Sequence, residues 1–357
     1  MMHAAQPSSS SDALTSAGSG WFPGSVIGAA RSALVATIRP RVRTPRGRGF
    51  AFHYERVLGT SLELQVVATD ADAARRAEVA VLAEVDRLAR ILSAYDATSE
   101  LARWQEQHGV LRPVSPELAD VLSAAERWRV RTAGGFNPAA ASLMESLRDN
   151  PSQEGMDSGA RQRALHSHRL AMRQPLWTVN RARGAACRLT RLPVSLDAIA
   201  KGYIIDRAAS CASATDGVTQ VLVNIGGDLR HIGTRPLAVG IADPRAPAEN
   251  ARPIAAVRLT GEALATSGGY HRSFAMDGRS VSHIIDPRSG APVSRVISAS
   301  VIAPDCMSAD ALSTAFSVLA PDESVALADT LDGVGCLIVA QNGTVASNDT
   351  WRARAVA

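Results

Sequence analysis

The chain has 357 residues, of which 46% are hydrophobic and 20% charged, as is ordinary for a globular protein long enough to bury a large core. Its formal net charge of +4 is too small to indicate nucleic-acid binding by itself. The four cysteines are widely spaced and form no C-x-x-C pair, which excludes the common zinc signatures. We expect free thiols at Cys187, Cys211, Cys306 and Cys336.

Residues 1–49 differ in composition from the rest of the chain. A serine run opens a Gly/Ser/Ala-rich stretch typical of disorder, and a short apolar run at residues 26–38 is interrupted by Arg31. That run is too short to cross a bilayer, and no clear cleavage site follows it, although a degenerate export signal stays open. No cysteine precedes Cys187, so we expect no lipoprotein anchor. We predict a disordered or leader-like segment.

The folded part is predicted to begin near residue 50. Residues 52–67 have the pattern of two extended segments joined at Leu58-Gly59-Thr60. Residues 71–92 predict a helix whose apolar residues recur at helical spacing, namely Val79, Leu82, Val85 and Leu88. A second helix is predicted to follow the N-cap Ser115, with a proline at its first position, and to run to about Val130.

The second half of the chain has a different texture. Residues 149–174 are polar and without a periodic pattern, and we interpret them as a surface insertion. One more helix is predicted over residues 308–319. The predicted strands, separated by turn residues, are Val221–Ile225, Leu237–Ile241, Ile254–Leu259, Val281–Ile285, Ile297–Ile302 and Cys336–Ala340. Helices early and strands late predict an α+β protein, with one large domain over residues 50–350.

Lys201 is the only lysine among the 38 Lys and Arg residues. In a chain that otherwise uses arginine, a single lysine indicates a position where a compact ammonium on a flexible stem is needed and a planar guanidinium does not fit. The alternative is the chance survival of one surface lysine. The surrounding string, residues 195–207, also contains Asp206 and favours the functional interpretation.

Two glycine-containing segments follow predicted strands. Gly226 and Gly227 precede Asp228, and paired glycines allow backbone N–H groups to approach a ligand closely. A tight turn between strands is the alternative. The small residues of 265–270, which include Ser267 and Tyr270, suit a phosphate or a flat ring lying on the backbone. A glycine-rich hairpin explains that segment equally well.

His283 has the best setting for chemistry among the eight histidines, because Asp286 follows three residues later and Ile284 and Ile285 lie between them in a predicted strand. It is a candidate general base or phosphate contact, and a satisfied core histidine is the alternative. Asn137 follows the second helix and is a candidate ligand contact, although an Asn-Pro turn explains it as well.

Asp310 and Thr314 are four residues apart in the predicted helix and therefore share a face. We expect Ser308 to cap this helix and Asp310 to lie in its first turn. A carboxylate and a hydroxyl near a helix N-terminus suit a hard cation whose shell is completed by phosphate oxygens. The alternative is an ordinary helix start, where aspartate is favoured anyway.

Taken together and in this order, these strings resemble the ApbE family of FAD:protein FMN transferases. The resemblance spans roughly residues 50–345. The matching segments are residues 58–60, 93–99, 136–138, 200–203 with Asp206, 224–228, 266–270, 283–287 and 309–314. It implies an α+β, T-fold-like enzyme that binds FAD and Mg²⁺ and has helices packed on mainly antiparallel sheets. The family moves the FMN half of FAD onto a Thr or Ser hydroxyl of an acceptor protein, and AMP leaves.

The resemblance also implies roles for individual residues. Mg²⁺ would be held by Asp310, Thr314 and the backbone carbonyl of Ala200, and His283 would assist attack by the acceptor hydroxyl. Tyr95 and the turn of Leu58, Gly59 and Thr60 would pack near the flavin. The remaining FAD contacts would be Asn137, Lys201, Asp206, Gly226, Gly227, Asp228, Ser267 and Tyr270. Lys201 and Asp206 would lie on the adenylate side or in the pocket wall.

Three positions depart from the family pattern. Leu58 stands where Met is common, Asn137 where Asp is common, and Gly269 where a larger polar residue is common. Two alternatives therefore stay open: a pyrophosphatase that hydrolyses FAD to FMN and AMP, and a non-catalytic FAD-binding protein.

The expected partner is an acceptor protein with a flavinylation-type Thr/Ser motif, such as a redox or membrane electron-transfer protein. We expect no nucleic-acid partner and no transmembrane span. The family suggests the cell envelope, while the lack of a clear signal leaves the cytoplasm open.

Overall fold

The computed structural model describes residues 43–44, 47–140, 142, 158–246, 252–268, 273–276, 279–282, 285–291, 293 and 295–356. Several sequence predictions lie outside these ranges. They concern most of residues 1–49, the first part of the predicted insertion (residues 149–157), and Gly269, Tyr270 and His283.

Within the described residues, nine strands form one antiparallel sheet at the centre of the fold. They are β1 (Arg43–Thr44), β2 (Gly47–Val57), β3 (Thr60–Ala68), β7 (Val218–Ile225), β8 (Asp228–Ile232), β11 (Ala263–Gly268), β14 (Val296–Ala303), β15 (Gly335–Ala340) and β16 (Val345–Ser347). They lie side by side in that same order. Chain order and spatial order agree because each long excursion leaves the sheet and returns beside the strand from which it departed.

The excursions form smaller sheets. One contains β4 (Leu111–Pro113), β5 (Trp177–Asn180) and β6 (Ala185–Arg188), with β6 in the middle. The other two are hairpins, formed by β9 (Leu237–Ile241) with β10 (Ala255–Leu259) and by β12 (Ser273–Met276) with β13 (Arg279–Ser282).

The described helices are α1 (Ala71–Leu92), α2 (Glu100–Gln105), α3 (Pro116–Arg131), α4 (Ser158–Arg173), α5 (Asp197–Ser213), α6 (Cys306–Phe316), α7 (Pro321–Asp329) and α8 (Asp349–Arg354). Local chemistry begins several of them. The Asp70 side chain accepts a hydrogen bond from the N–H of Ala73 at the start of α1. Ser115 accepts one from Leu118 at the start of α3, as predicted.

The two faces of the large sheet bury two hydrophobic cores. The larger core lies under α1, α5 and α6, where alternate residues of β3, including Leu62, Leu64 and Val66, are buried. The smaller core lies on the other face, beneath the β9–β10 hairpin and α8, and contains Leu264, Val257 and Trp351. The predicted α+β fold class, with helices on a mainly antiparallel sheet, is confirmed.

Three local expectations were wrong. Residues 158–173 form α4, which the sequence pattern missed, because its end is fixed by tertiary contacts around the buried Met172. The helix carrying Asp310 begins at Cys306, since Asp305 and not Ser308 is its N-cap, so Asp310 lies beyond the first turn. Val79 is 65% exposed, while the buried stripe of α1 includes Val81, Val85 and Leu88.

The cysteines are free thiols, as expected, and all four lie within the described residues. Among the helices in the described part of the chain, none combines the length and the hydropathy that crossing a bilayer would require.

Candidate active site

Most of the predicted site residues that the structure describes lie on two packed helices and on the strand ends beside them. α5 carries Ala200, Lys201 and Asp206, and α6 carries Asp310 and Thr314. Others come from the turns between β2 and β3 and between β7 and β8, and from β11, while Tyr95 and Asn137 lie in the loops after α1 and α3. Segments far apart in the sequence are thus brought to one edge of the sheet.

An ion pair joins α5 to β8 at the centre of this site. The Nζ atom of Lys201 lies 2.7 Å from Oδ2 of Asp228, whose side chain is only 3% exposed. The other oxygen, Oδ1, accepts a hydrogen bond of 3.1 Å from the N–H of Thr266. Both carboxylate oxygens of Asp228 therefore have protein donors.

Asp310 is the buried carboxylate of α6. Its Oδ2 atom accepts a hydrogen bond of 3.0 Å from the N–H of Gly202. Burial, and after it the nearby charge of Asp228, raises the pKa of Asp310, while the Lys201 ammonium and the Gly202 N–H act in the opposite direction. Desolvation also lowers the pKa of Lys201, but Asp228 and Asp310 outweigh it and hold that pKa above its usual value. The Lys201 cation therefore favours the charged form of Asp310, against its burial and the repulsion from Asp228.

A small hydroxyl cluster adjoins Asp310. The Oγ atom of Ser267 on β11 lies 2.9 Å from Oγ of Ser313 and 3.4 Å from Oγ1 of Thr314. Ser267 and Thr314, predicted separately as a pocket residue and a metal ligand, are therefore neighbours. Ala200, on the neighbouring helix α5, is also buried, with only 2% of its surface exposed.

The two predicted turns lie against each other. Gly226 and Gly227 form the two-residue turn of the β7–β8 hairpin, with φ angles of 63° and 93° that favour glycine. A Cβ atom on Gly226 would lie 2.8 Å from Cγ2 of Thr60. In the facing turn, Leu58 has a φ of 51°, which is unusual for a non-glycine residue. The glycines at 226 and 227 therefore form a tight turn, and such a turn still leaves backbone N–H groups that a ligand can approach.

Two further predicted contacts, Tyr95 and Asn137, have hydrogen-bond partners within the protein. The hydroxyl of Tyr95, a residue 48% exposed, donates a 2.9 Å hydrogen bond to Oδ2 of Asp197 at the start of α5. The side chain of Asn137 donates to the carbonyl of Met172 and accepts from the N–H of Ala139. That amide fixes the end of α4 to the loop after α3.

Asp206 lies one turn beyond Gly202 on α5. Its two carboxylate oxygens accept hydrogen bonds of 2.8 and 2.9 Å from the N–H groups of Cys306 and Met307, at the start of α6. Nε of Arg230 lies 3.6 Å from Oδ1 of the same carboxylate. The carboxylate thus has protein partners on both α6 and β8.

Sequence reasoning missed several residues that organise the site. Gly202 lay inside a quoted motif, yet nothing in that motif indicated its contact with α6. Thr266 and Ser313 are ordinary hydroxyl residues, and Arg230 had no feature to distinguish it among so many arginines. Tyr270 and His283 lie outside the described residues, so their roles stay predictions.

The donor set suits a hard cation. Asp310, Thr314 and the Ala200 carbonyl offer only oxygen, the ligand that Mg²⁺ prefers. A buried carboxylate whose pKa is raised by burial and by a second carboxylate is stabilised by an added positive charge. Within the described residues, no three His, Cys, Asp or Glu side chains cluster as a metal site.

The fold and the site together define a class: an antiparallel-sheet α+β protein in which a lysine pairs with a buried aspartate, beside glycine turns and two closely packed helices that carry oxygen ligands. The sequence model of the ApbE family matches residues 58–338. This match covers more than half of the chain, so the protein belongs to the ApbE family, and the resemblance seen in its motifs is confirmed.

Relatives agree in sequence and structure. The chain is 26% identical over 304 residues to the FAD:protein FMN transferase of Escherichia coli (strain K12), covering 83% of this chain and 85% of that one. It is 31% identical over 251 residues to the Rhodobacter capsulatus protein of the same name, covering 68% and 46%. The crystal structure of the ApbE protein from Thermotoga maritima aligns with a TM-score of 0.74 at 27% identity, over 87% of this chain and all of that chain (100%). The apo form of the Pseudomonas stutzeri flavinyl transferase ApbE gives 0.72 at 25% identity, over 88% and 98%.

Proposed function

We propose that this protein transfers FMN from FAD to a Thr or Ser hydroxyl of an acceptor protein, with Mg²⁺ as the metal and AMP as the leaving group. The hydroxyl oxygen forms a bond to the FMN phosphorus, the bond from that phosphorus to the oxygen leaving with AMP breaks, and the hydroxyl proton goes to a base. The printed names of the relatives support the flavin-transfer reaction. The observation that carries the proposal is the buried Asp310 beside the Lys201–Asp228 pair.

The chain's own residues would divide the work. Asp310, Thr314 and the Ala200 carbonyl would hold the metal, with Gly202 orienting the Asp310 carboxylate. When bound, Mg²⁺ would neutralise the diphosphate and the charge that develops on the leaving AMP. Lys201 would keep a positive charge beside the phosphates, since its pKa is raised by the two carboxylates after burial has lowered it.

The remaining predicted residues would serve binding and proton transfer. The turns of Leu58 to Thr60 and of Gly226 and Gly227 would place backbone against FAD, and Tyr95 would pack near the flavin. His283 would accept the proton of the acceptor hydroxyl, a step that typically contributes ~10²–10⁴-fold.

The proposal is tested by incubating the protein with FAD, with and without Mg²⁺, and with a domain that carries an Asp-x-x-(Ser/Thr)-x-Ala-Thr motif. Mass spectrometry follows the acceptor and chromatography follows AMP. We expect one FMN per acceptor and an equal amount of AMP, only when Mg²⁺ is present. Asp310→Asn should lower the rate by ~10²-fold or more, because the metal loses its charged ligand. His283→Ala should lower it by ~10²–10⁴-fold.

The matched control is Asp322→Asn, which removes an exposed carboxylate from α7 and should leave the rate unchanged. Full transfer by both Asp310→Asn and His283→Ala would contradict the mechanism. AMP and free FMN without a labelled acceptor would instead indicate a pyrophosphatase that uses water. Intact, stoichiometric FAD in the presence of Mg²⁺ would indicate a binding protein.

A further inference from the structure

Asp206 has a different environment from the one expected of an FAD contact. Its carboxylate reaches across from α5 to the backbone of α6, where it accepts hydrogen bonds from the first two residues, Cys306 and Met307. The first N–H groups of a helix have no partner within the helix, so an external acceptor fixes that end in place. The next N–H, of Ser308, donates to the N-cap Asp305 at 2.7 Å. Two carboxylates thus hold the whole first turn of α6.

Arg230 supports this arrangement from β8. Its Nε lies 3.6 Å from Oδ1 of Asp206, and its Nη1 donates a hydrogen bond to the carbonyl of Pro304, just before the helix. The guanidinium therefore fixes both the capping carboxylate and the chain that enters α6. It also offsets the repulsion between Asp206 and Asp305.

The same face of α5 has one more contact with α6. Gly202 is four residues before Asp206, and a Cβ atom there would lie 2.3 Å from the carbonyl oxygen of Cys306. The Gly202 N–H also donates to Asp310. Asp206 and Gly202 thus place two contacts with α6 on one face of α5, one turn apart.

The metal ligands expected from the sequence are divided between these two helices. Ala200 lies on α5, whereas Asp310 and Thr314 lie on α6. Mg²⁺ requires near-ideal octahedral geometry at short ligand distances, so the helices must hold their relative position to within a few tenths of an ångström.

We propose that Asp206, supported by Arg230, is a positioning residue that sets the geometry of the metal site by fixing the start of α6 against α5. This inference rests on the proposed function for the location of the metal. It gives Asp206 no contact with FAD, and so it replaces the role in the pocket wall that the family resemblance implied.

The test measures metal binding directly, with Mn²⁺ alone as the probe and electron paramagnetic resonance as the readout of free Mn²⁺. Asp206→Ala should weaken Mn²⁺ binding by ~10–100-fold, the usual effect of removing a group that orients metal ligands. Asp206→Asn should lie between this variant and the wild type, because its amide oxygen still accepts one of the two N–H groups. The Mg²⁺ concentration for half-maximal FMN transfer should rise in the same order, while the affinity for FAD without metal stays within about threefold.

The matched control is Asp70→Ala, which removes the N-cap of α1 at the opposite end of β3 from the turn of Leu58 to Thr60. It should reduce stability without changing Mn²⁺ affinity, so it separates general destabilisation from positioning. If Asp206→Ala does not fold, as judged by circular dichroism, Asp206→Asn decides the test.

The outcomes separate the two proposals. Wild-type FMN transfer with Mg²⁺, together with unchanged Mn²⁺ affinity in the folded Asp206 variants, would overturn the positioning role and leave the function intact. A wild-type protein that neither binds Mn²⁺ nor transfers FMN would overturn the proposed function, and the positioning role with it.

Discussion

Lys201 illustrates how much a single side chain depends on its surroundings. It is the only lysine of the chain, and its ammonium pairs with a carboxylate that is almost fully buried. A second carboxylate, Asp310, also contributes to raising its pKa after burial has lowered it. A compact ammonium carries its charge at one point and takes up less space beside these carboxylates than a planar guanidinium would. The sequence bias therefore has a physical reason in the site.

Lys201→Met should destabilise the protein by roughly 3–5 kcal/mol, because it leaves Asp228 buried without its cation. The measurement is the free energy of unfolding in urea at neutral pH. The double variant Lys201→Met/Asp228→Asn should recover part of the loss, since the uncompensated charge is removed and the amide oxygen can still accept from Thr266. If the loss in the double variant equals the sum of the losses in Lys201→Met and in Asp228→Asn alone, the pair contributes no coupling energy.

At the scale of elements, the crossing of α5 and α6 determines the site. The helices approach closely because Gly202 has no side chain, and a Cβ atom there would also lie 2.6 Å from the carbonyl carbon of Cys306 and 2.8 Å from Cα of Met307. These are backbone atoms and cannot move aside as a flexible side chain can. Asp206, one turn further along α5, then fixes the start of α6.

Gly202→Ala should destabilise the protein by about 2 kcal/mol or more, although alanine favours a helix over glycine by about 1 kcal/mol. The helices would have to separate, so Mg²⁺-dependent transfer should fall as well. Thermal unfolding and the transfer assay measure the two effects.

The control for this change is Gly343→Ala, in the turn between β15 and β16. Its φ is +85°, but no atom lies within 4 Å of the added Cβ, so only the backbone strain is introduced. A cost for Gly202→Ala no larger than that of Gly343→Ala would show that α5 and α6 tolerate the extra methyl group.

For the whole molecule, the two faces of the sheet pack against different elements, and only one of them adjoins the candidate site. The helical face contains the site, while the other face holds the smaller core beneath the β9–β10 hairpin and α8. His231 lies buried on β8, where its Nδ1 accepts a hydrogen bond of 3.1 Å from the N–H of Gly261. That bond requires an unprotonated Nδ1, so the folded protein holds the ring neutral. Burial, and then Arg230, lowers the pKa of His231.

This environment predicts an acid-sensitive fold. The unfolded chain takes up a proton at His231 near pH 6.5, while the folded chain does so only at lower pH. The contribution of the neutral His231 ring to the free energy of unfolding is therefore complete above about pH 6.5. It is lost as the pH falls below that value, by at most about 1.4 kcal/mol per pH unit. His231→Asn keeps an acceptor for Gly261 and should show a flatter dependence.

Urea unfolding of both proteins at several pH values between 7.5 and 5 tests this expectation. His168 also has a lowered pKa because it is buried, and its contribution is common to both proteins and cancels in the comparison. Parallel declines of the wild type and His231→Asn would show that His231 does not cause the acid sensitivity.

The sequence by itself determined what depends on local chemistry. The cap at Ser115 predicted a helix, and residues 52–67 predicted two extended segments joined at Leu58-Gly59-Thr60, because each depends on neighbours within a few residues. The tight turn at Gly226 and Gly227, an alternative that the sequence left open, is the one the structure has. The ordered motifs also predicted the family and the α+β class. Mg²⁺, His283 and Tyr270 stay predictions of that resemblance.

Only the tertiary structure decided which groups meet. Asp206 finds its donors 100 and 101 residues away in the chain, and Gly202 meets Asp310 108 residues away. No periodicity encodes such pairs, since they depend on how α5 and α6 cross. The start of α6 and the existence of α4 were misjudged for a related reason: several local caps or patterns were plausible, and long-range packing selected one. The candidate site residues were predicted from the sequence, whereas packing decides that Asp228 pairs with Lys201 and that Asp206 caps α6.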